Sequence, residues 1–202
     1  MTISSGYATL DEFKYYQTAR AQTMVTDAND DKVIEDMIEA ASRYIDRRSG
    51  RTFYARTETH YHDVPKDGNR ILMLDDDLLT IATLTNGDGA VLTSTLDYNL
   101  VPKNTTPHYA IKMKQSSVHY WTQDSNGNTE DVISIVGTWG FAATAPDDIK
   151  EACLMIAASL NKRRYGENLS SISTITAAGI VITPQDVPGL TWTVIMGYKR
   201  ML

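Results

Sequence analysis

Two apolar stripes at helical spacing, far apart in the chain, constrain this sequence most. Val33, Ile34, Met37, Ile38, Ala41, Tyr44 and Ile45 form the first. Ile149, Ala152, Cys153, Ile156, Ala157 and Leu160 form the second, which is narrower and richer in small side chains. A helix with one apolar stripe has to bury it against another element. Each stripe is the obvious partner of the other, and the small side chains allow a close approach. What lies between them has a different period. The chain therefore leaves a helical bundle and later returns to it.

The end signals agree with two helices. The first runs from about Asp31 to Ser49, after the polar turn "TDANDD" with its several N-cap candidates. Arg47 and Arg48 lie at its negative pole, and Gly50 is a natural residue to follow it. The second spans Ala145 to Gly166. Pro146 suits a first turn, Asp147 and Asp148 suit the positive pole, and Lys162, Arg163 and Arg164 suit the negative one. A shorter helix is expected over Thr9 to Arg20, where Thr9 and Glu12 have capping-box spacing.

From Thr52 to about Thr144 the sequence reads as short strands with turn chemistry between them. "TFYARTETHYHDV", "RILML", "LLTIATLT", "AVLTS", "YNLVP", "YAIKMK", "SVHYWTQ" and "DVISIVGTWGF" are the strand candidates. "NGDG" is a strong hairpin signal and "DSNGNTED" a second turn. The expected fold is α+β: a small helical bundle interrupted by an inserted antiparallel β-domain, sandwich or barrel. "ENLSSISTITAAG" is Ser/Thr-rich and poor in core residues, so it reads as a linker or arm. Leu190, Val194, Ile195 and Tyr198 fit a short terminal helix. The expected divisions are bundle helices over 1–51, the β-domain over 52–144, a bundle helix over 145–166, and an extended C-terminal arm with a terminal segment over 167–202.

Composition limits the function classes. The 202 residues are 42% hydrophobic and 22% charged, with a formal net charge of −6. General nucleic-acid binding needs a surplus of Lys and Arg, which is missing. The single cysteine, Cys153, forms no internal disulfide and falls on an apolar helix face. No apolar run nears the ~20 residues of a membrane span, and no secretory signal is visible. The expectation is a soluble protein made in a cytoplasm.

Catalytic motifs are missing too. No nucleophile elbow and no phosphate-cradling Gly-rich loop occurs. No catalytic residue, cofactor or metal site is assigned, and the chain is expected not to be an enzyme. His60 and His62 share one face of a strand, but nothing fixes His108 or His119 beside them, so a solvated strand face is the expectation. "LDDDLL" lacks the EF-hand pattern and reads as an acidic turn. Arg47, Arg48 and Arg51 form one basic cluster at a helix end, and Lys162 to Arg164 form another.

Several of these segments together resemble the head-to-tail connector proteins of tailed bacteriophages, also called adaptor, neck or head-completion proteins. The resemblance rests on "EAASRYIDRRSGRTF", "PDDIKEACLMIAASLNKRR" and the closing "GYKR", and covers the β region only in its general character. It implies a structural virion protein made in the host cytoplasm. Such proteins form a ring, commonly dodecameric, beneath the portal protein. The ring extends the DNA channel, reads no sequence, and offers a surface to the next neck or tail component. The implied partners are further copies of the chain, the portal protein and a downstream neck or tail protein. The C-terminal segment would be a tether that orders on docking. Arg47, Arg48, Arg51, Trp192, Ile195, Tyr198, Lys199 and Arg200 are the candidate subunit or portal contacts. A stopper or tail-completion role is the neighbouring alternative. A reading of another class is a non-catalytic β-domain that binds carbohydrate or metal, with Tyr120, Trp121 and Trp139 as an aromatic platform.

Overall fold

A computed structural model describes residues 6–19, 28–165, 175–176, 179–180 and 187–200. The chain divides into two units, Met1–Arg51 with Thr144–Leu202, and Thr52–Ala143. The architecture is α+β, with helices in the first unit and an antiparallel sheet in the second.

The helical unit holds α1 (Leu10–Ala19), α2 (Ala28–Ser49), α3 (Asp147–Tyr165) and α4 (Gly189–Gly197), with a two-stranded ribbon of β7 and β8 described below. The capping box at α1 forms as its spacing predicts: Thr9 Oγ1 accepts from Glu12 N at 3.2 Å, and Glu12 Oε2 accepts from Thr9 N at 2.8 Å. α2 ends at Gly50, whose φ of 67° is the left-handed conformation that glycine adopts most easily. The two apolar stripes meet. Ile38, Ala41 and Ile45 of α2 and Ile149, Cys153, Ile156 and Ala157 of α3 are fully buried. Each such Ile contributes about 1.5–3 kcal/mol of transfer free energy. Ser42 occupies the stripe without cost because its Oγ donates to Ile38 O at 2.8 Å and accepts from Tyr7 N at 3.0 Å. Cys153 lies against Ser42, 3.4 Å away, and burial pushes its thiol up to about 11. A thiol held protonated in this way is a packing residue and a poor nucleophile.

The β unit contains β1 (Arg56–His62), β2 (Ile71–Thr85), β3 (Val91–Leu92), β4 (Tyr98–Val101), β5 (His108–Met113) and β6 (Ile133–Trp139). All pairings are antiparallel. The order is β1-β6-β2-β5-β4, with β3 also on β2. The path is open, so the sequence-based choice between sandwich and barrel resolves into neither closed form. The long strand β2 explains this. It unites "RILML", the three aspartates and "LLTIATLT", so the expected acidic turn is absent. Its first half pairs with β5 and its second with β6, with register shifts between Met73 and Leu78 and again at Leu78/Thr80 and Ile81/Thr83. Such bulges bend a strand and increase its twist. The core gathers Leu72, Leu78, Leu84, Ile111, Ile133 and Trp139, with Val64 and Trp121 packed against it.

"NGDG" makes the hairpin between β2 and β3, with Asn86 N bonded to Ala90 O at 2.9 Å and Gly89 at φ 84°. "SVHYWTQ" is not a strand. Side chains tie it down instead: Asn86 Nδ2 donates to Tyr120 O at 2.8 Å, and Trp121 Nε1 donates to Arg70 O at 3.1 Å.

Of the expected C-terminal arm and terminal segment, residues 167–174, 177–178, 181–186 and 201–202 lie outside the described residues. β7 (Ile175–Thr176) and β8 (Gly179–Ile180) pair as a short antiparallel ribbon. The terminal segment forms the expected helix, α4. This helix packs on α2 and α3, with Thr191 and Ile195 buried. It is part of the bundle in the single chain.

Candidate functional site

The candidate contact residues converge at the C-terminal end of α2. After Gly50 closes the helix, Arg51 Nε donates to Tyr198 O at 2.7 Å, and Arg200 N donates to Ser49 O at 2.8 Å. The chain beyond α4 is thereby laced to the end of α2 through backbone groups that a helix terminus leaves unpaired. Tyr198 OH donates to Asp148 at 2.9 Å, which brings the start of α3 to the same place. Burial and then the Asp148 carboxylate push the Tyr198 phenol above its ordinary value. The second basic run, Lys162 to Arg164, lies at the other end of α3.

Arg48 carries its guanidinium over two rings, 5.2 Å from the Tyr44 centroid and 5.5 Å from that of Trp192. Cation–π contacts at exposed positions contribute about 0.5–1 kcal/mol each. Arg47 is exposed, as are Lys199 and, in part, Trp192 at 40%. Leu190 at 68% and Met196 at 36% continue the outer face of α4. Arg48 with Trp192, and Arg51 with Tyr198 and Arg200, therefore meet around the end of α2, and Arg47 and Lys199 are exposed next to them in sequence. Ile195 does not join them. It is fully buried, because it lies on the inner face of α4, so it holds the helix and presents nothing outward.

A different group gathers in the β unit. His60 and His62 stand two residues apart on β1 and share a face. That face is not solvated. Trp139 of β6 is fully buried, and the His60 ring stacks on it with centroids 3.8 Å apart and planes at 14°. Trp139 Nε1 in turn donates to Glu58 O at 3.2 Å. The bend in β2 delivers Asp75 to the same place. Its Oδ1 lies 3.0 Å from His60 Nδ1 and 3.7 Å from His62 Nε2. The far nitrogen of His60 faces Glu58 Oε2 at 3.4 Å. Burial holds the His62 imidazole below its ordinary pKa, which favours the neutral ring. Burial works against the Asp75 carboxylate, but His60 and His62 outweigh it and keep its pKa low.

Asp75 is the residue that sequence reasoning missed here. Nothing local signals it, since the contact depends on a bulge fifteen residues from His60. The aromatic platform does not form. Trp139 is core, Trp121 packs against the core, and Tyr120 stands exposed under the Arg70 guanidinium at 5.1 Å.

No helix among the described residues is long and apolar enough to cross a membrane. No family model and no curated protein matches the chain. Solved structures do. A chain in the neck of an empty gene transfer agent particle, computed with C6 symmetry, superposes with a TM-score of 0.61. The match covers 100% of this chain and 95% of that one, at 17% identity. A chain in the neck of the native particle, computed with C12 symmetry, gives 0.59 over 100% and 94%, also at 17% identity. A chain from the native virion gives 0.56 over 97% and 92%, at the same identity. This chain shares the fold of those particle chains. The likeness spans the helical unit and the β insert alike, so it extends over the region where the sequence resemblance to connector proteins was least specific.

Proposed function

We propose that this protein is a structural, non-catalytic component of a phage-type particle neck. It forms a ring beneath the portal protein, extends the DNA channel, and joins the head to the tail or to the next neck component. The observation that carries this reading is the fold, shared over essentially the whole length with chains of particle necks that were computed with sixfold and twelvefold symmetry. A dodecamer follows most simply from the twelvefold case. A closed ring uses two different patches of each subunit, repeated around one axis. The patch at the α2 end and the outer face of α4 supplies one, with Arg47, Arg48, Arg51, Trp192, Tyr198, Lys199 and Arg200 as contacts to a neighbouring subunit or to the portal. Aromatic and Arg side chains in one patch are the residue types that dominate binding energy at interfaces. The net charge of −6 suits a channel through which DNA slides without adhering.

Electron microscopy of the purified chain mixed with its portal protein tests the proposal. A ring seated at the portal exit is the expected result. A chain that never associates with the portal, whether alone or in assembled particles, would remove the proposal.

A further inference from the structure

We propose that His60, His62 and Asp75 form a binding site for a divalent transition metal ion of the zinc class. The three donor atoms lie within 4.8 Å of one another. Two of the separations, 3.0 and 3.7 Å, bracket the edge of ~3.3 Å that tetrahedral bonds of 2.0–2.1 Å require. Two imidazoles and one carboxylate form a donor set that suits zinc, and also iron or nickel, better than calcium or magnesium.

Two further observations point to an ion. His62 is 8% exposed, and its buried Nε2 has no hydrogen-bond partner while it points at Asp75. A buried polar atom without a partner costs about 1–3 kcal/mol and calls for an explanation. Donor counting at His60 gives the second. Both ring nitrogens face carboxylates, Asp75 on one side and Glu58 on the other. A carboxylate only accepts, and a neutral imidazole has one N–H to give. With Nδ1–H the ring serves Asp75; with Nε2–H it serves Glu58, and the bare Nδ1 is then open to a cation. A cation between His60 Nδ1, His62 Nε2 and Asp75 gives the orphaned His62 Nε2 a partner and uses that second tautomer of His60.

The surroundings resemble a built metal site. Glu58 on the outer nitrogen of His60 is the carboxylate–histidine arrangement that fixes ring orientation in metal centres. The stack on Trp139 holds the ring from behind. Both histidines come from a paired strand, which places them more firmly than a loop would. His62 and Asp75 also line an open cleft of about 470 Å³ with Asp63 and Lys66. A fourth position is therefore accessible to water or to a carboxylate from another molecule. The site ties β1 to the bend of β2, so the ion would stabilise the β unit. This inference does not depend on the neck reading.

The test is calorimetric titration of the full chain with ZnCl₂ after chelator treatment and dialysis. Melting temperature is followed in parallel, and the absorption of added Co²⁺ serves as a probe of inner-sphere nitrogen ligands. One Zn²⁺ per chain is expected, with a melting temperature that rises with zinc concentration. Asp75→Asn and His62→Gln should abolish the stoichiometric binding. Glu58→Gln should weaken it by ~10–100-fold while keeping the site. The Asp75 side chain is 61% exposed, so Asp75→Asn preserves the fold and decides the matter even if His62→Gln fails to fold. Absence of uptake by the native chain overturns the proposal. So does uptake that persists unchanged in Asp75→Asn.

Discussion

In the helical unit, several polar side chains are tied to groups close by in sequence. Ser42 Oγ reaches Ile38 O, Ser49 Oγ reaches Ile45 O at 2.9 Å, and Thr9 and Glu12 cap one another. In the β unit they are tied across long stretches of chain. Asp97 accepts from Ser117 Oγ at 2.9 Å, Asn86 holds Tyr120 and Thr122, and His60 meets Asp75. Local rules thus shape the single helices, and an apolar seam joins them, with long-range ties such as Tyr198 OH to Asp148 at its ends. The β unit depends on contacts that exist only once the sheet has formed. Damage to a single buried residue should spread further in the β unit, and hydrogen exchange can follow the two units separately.

The largest effect is expected at Trp139, which is fully buried, packs the sheet core and backs His60. Trp139→Ala should cost about 4 kcal/mol in denaturant unfolding. Protection should fall throughout β1, β2 and β6, while α2 and α3 keep theirs. Equal loss in both units would break the comparison.

Two glycines come next. A Cβ on Gly137 would sit 2.4 Å from Thr80 O, a backbone atom that cannot step aside, whereas one on Gly197 meets nothing within 4 Å. Gly137→Ala should destabilise by about 2 kcal/mol. Gly197→Ala should be neutral or stabilise by a few tenths of a kcal/mol. Thermal melts of the two variants check the opposite signs.

Asp97 sharpens the contrast through pH. Backbone and side-chain donation from Thr93, at 2.8 and 3.2 Å, together with Ser117, holds its carboxyl below the ordinary value, although burial opposes this. A group with a lowered folded pKa contributes stability that is complete above its unfolded pKa of about 3.9 and is lost as pH falls through the folded value. Asp97→Asn should therefore cost about 1.5 kcal/mol at neutral pH. That gap should close in acid. A gap that stays constant down to strongly acidic pH would show that the charge is irrelevant. The smallest effect is expected at the cap: Thr9→Ala should cost about 1 kcal/mol, read as faster exchange in the first turn of α1 only.

The same contrast explains what was legible in the sequence. The stripes, the Thr9–Glu12 cap, Gly50 and the "NGDG" hairpin are local patterns, and each is found where its spacing placed it, whereas α2 begins at Ala28, inside the expected polar turn, and not at Asp31. The continuity of β2 through three aspartates was not legible, because a bulge allows acids inside a strand and no local signal announces one. "SVHYWTQ" has strand composition but is fixed by Asn86 and the Arg70 carbonyl, both distant in sequence. The sequence does not separate Ile195 from the outward contacts, because a short helix of nearly uniform apolarity does not reveal its inner face. At the α2 end, the arginines and "TWTVIMGYKR" stood out as residues. Their convergence through Tyr198 and Ser49 came only with the structure.

Cryo-electron microscopy of intact particles that carry this chain tests the proposed place in the neck. A ring of copies between the portal and the tail is expected. Each copy should keep α4 on its own α2 and α3, with Arg48 and Trp192 at a contact with a neighbouring subunit or the portal. Particles whose neck is complete without this chain, or that hold it elsewhere in the virion, would contradict it.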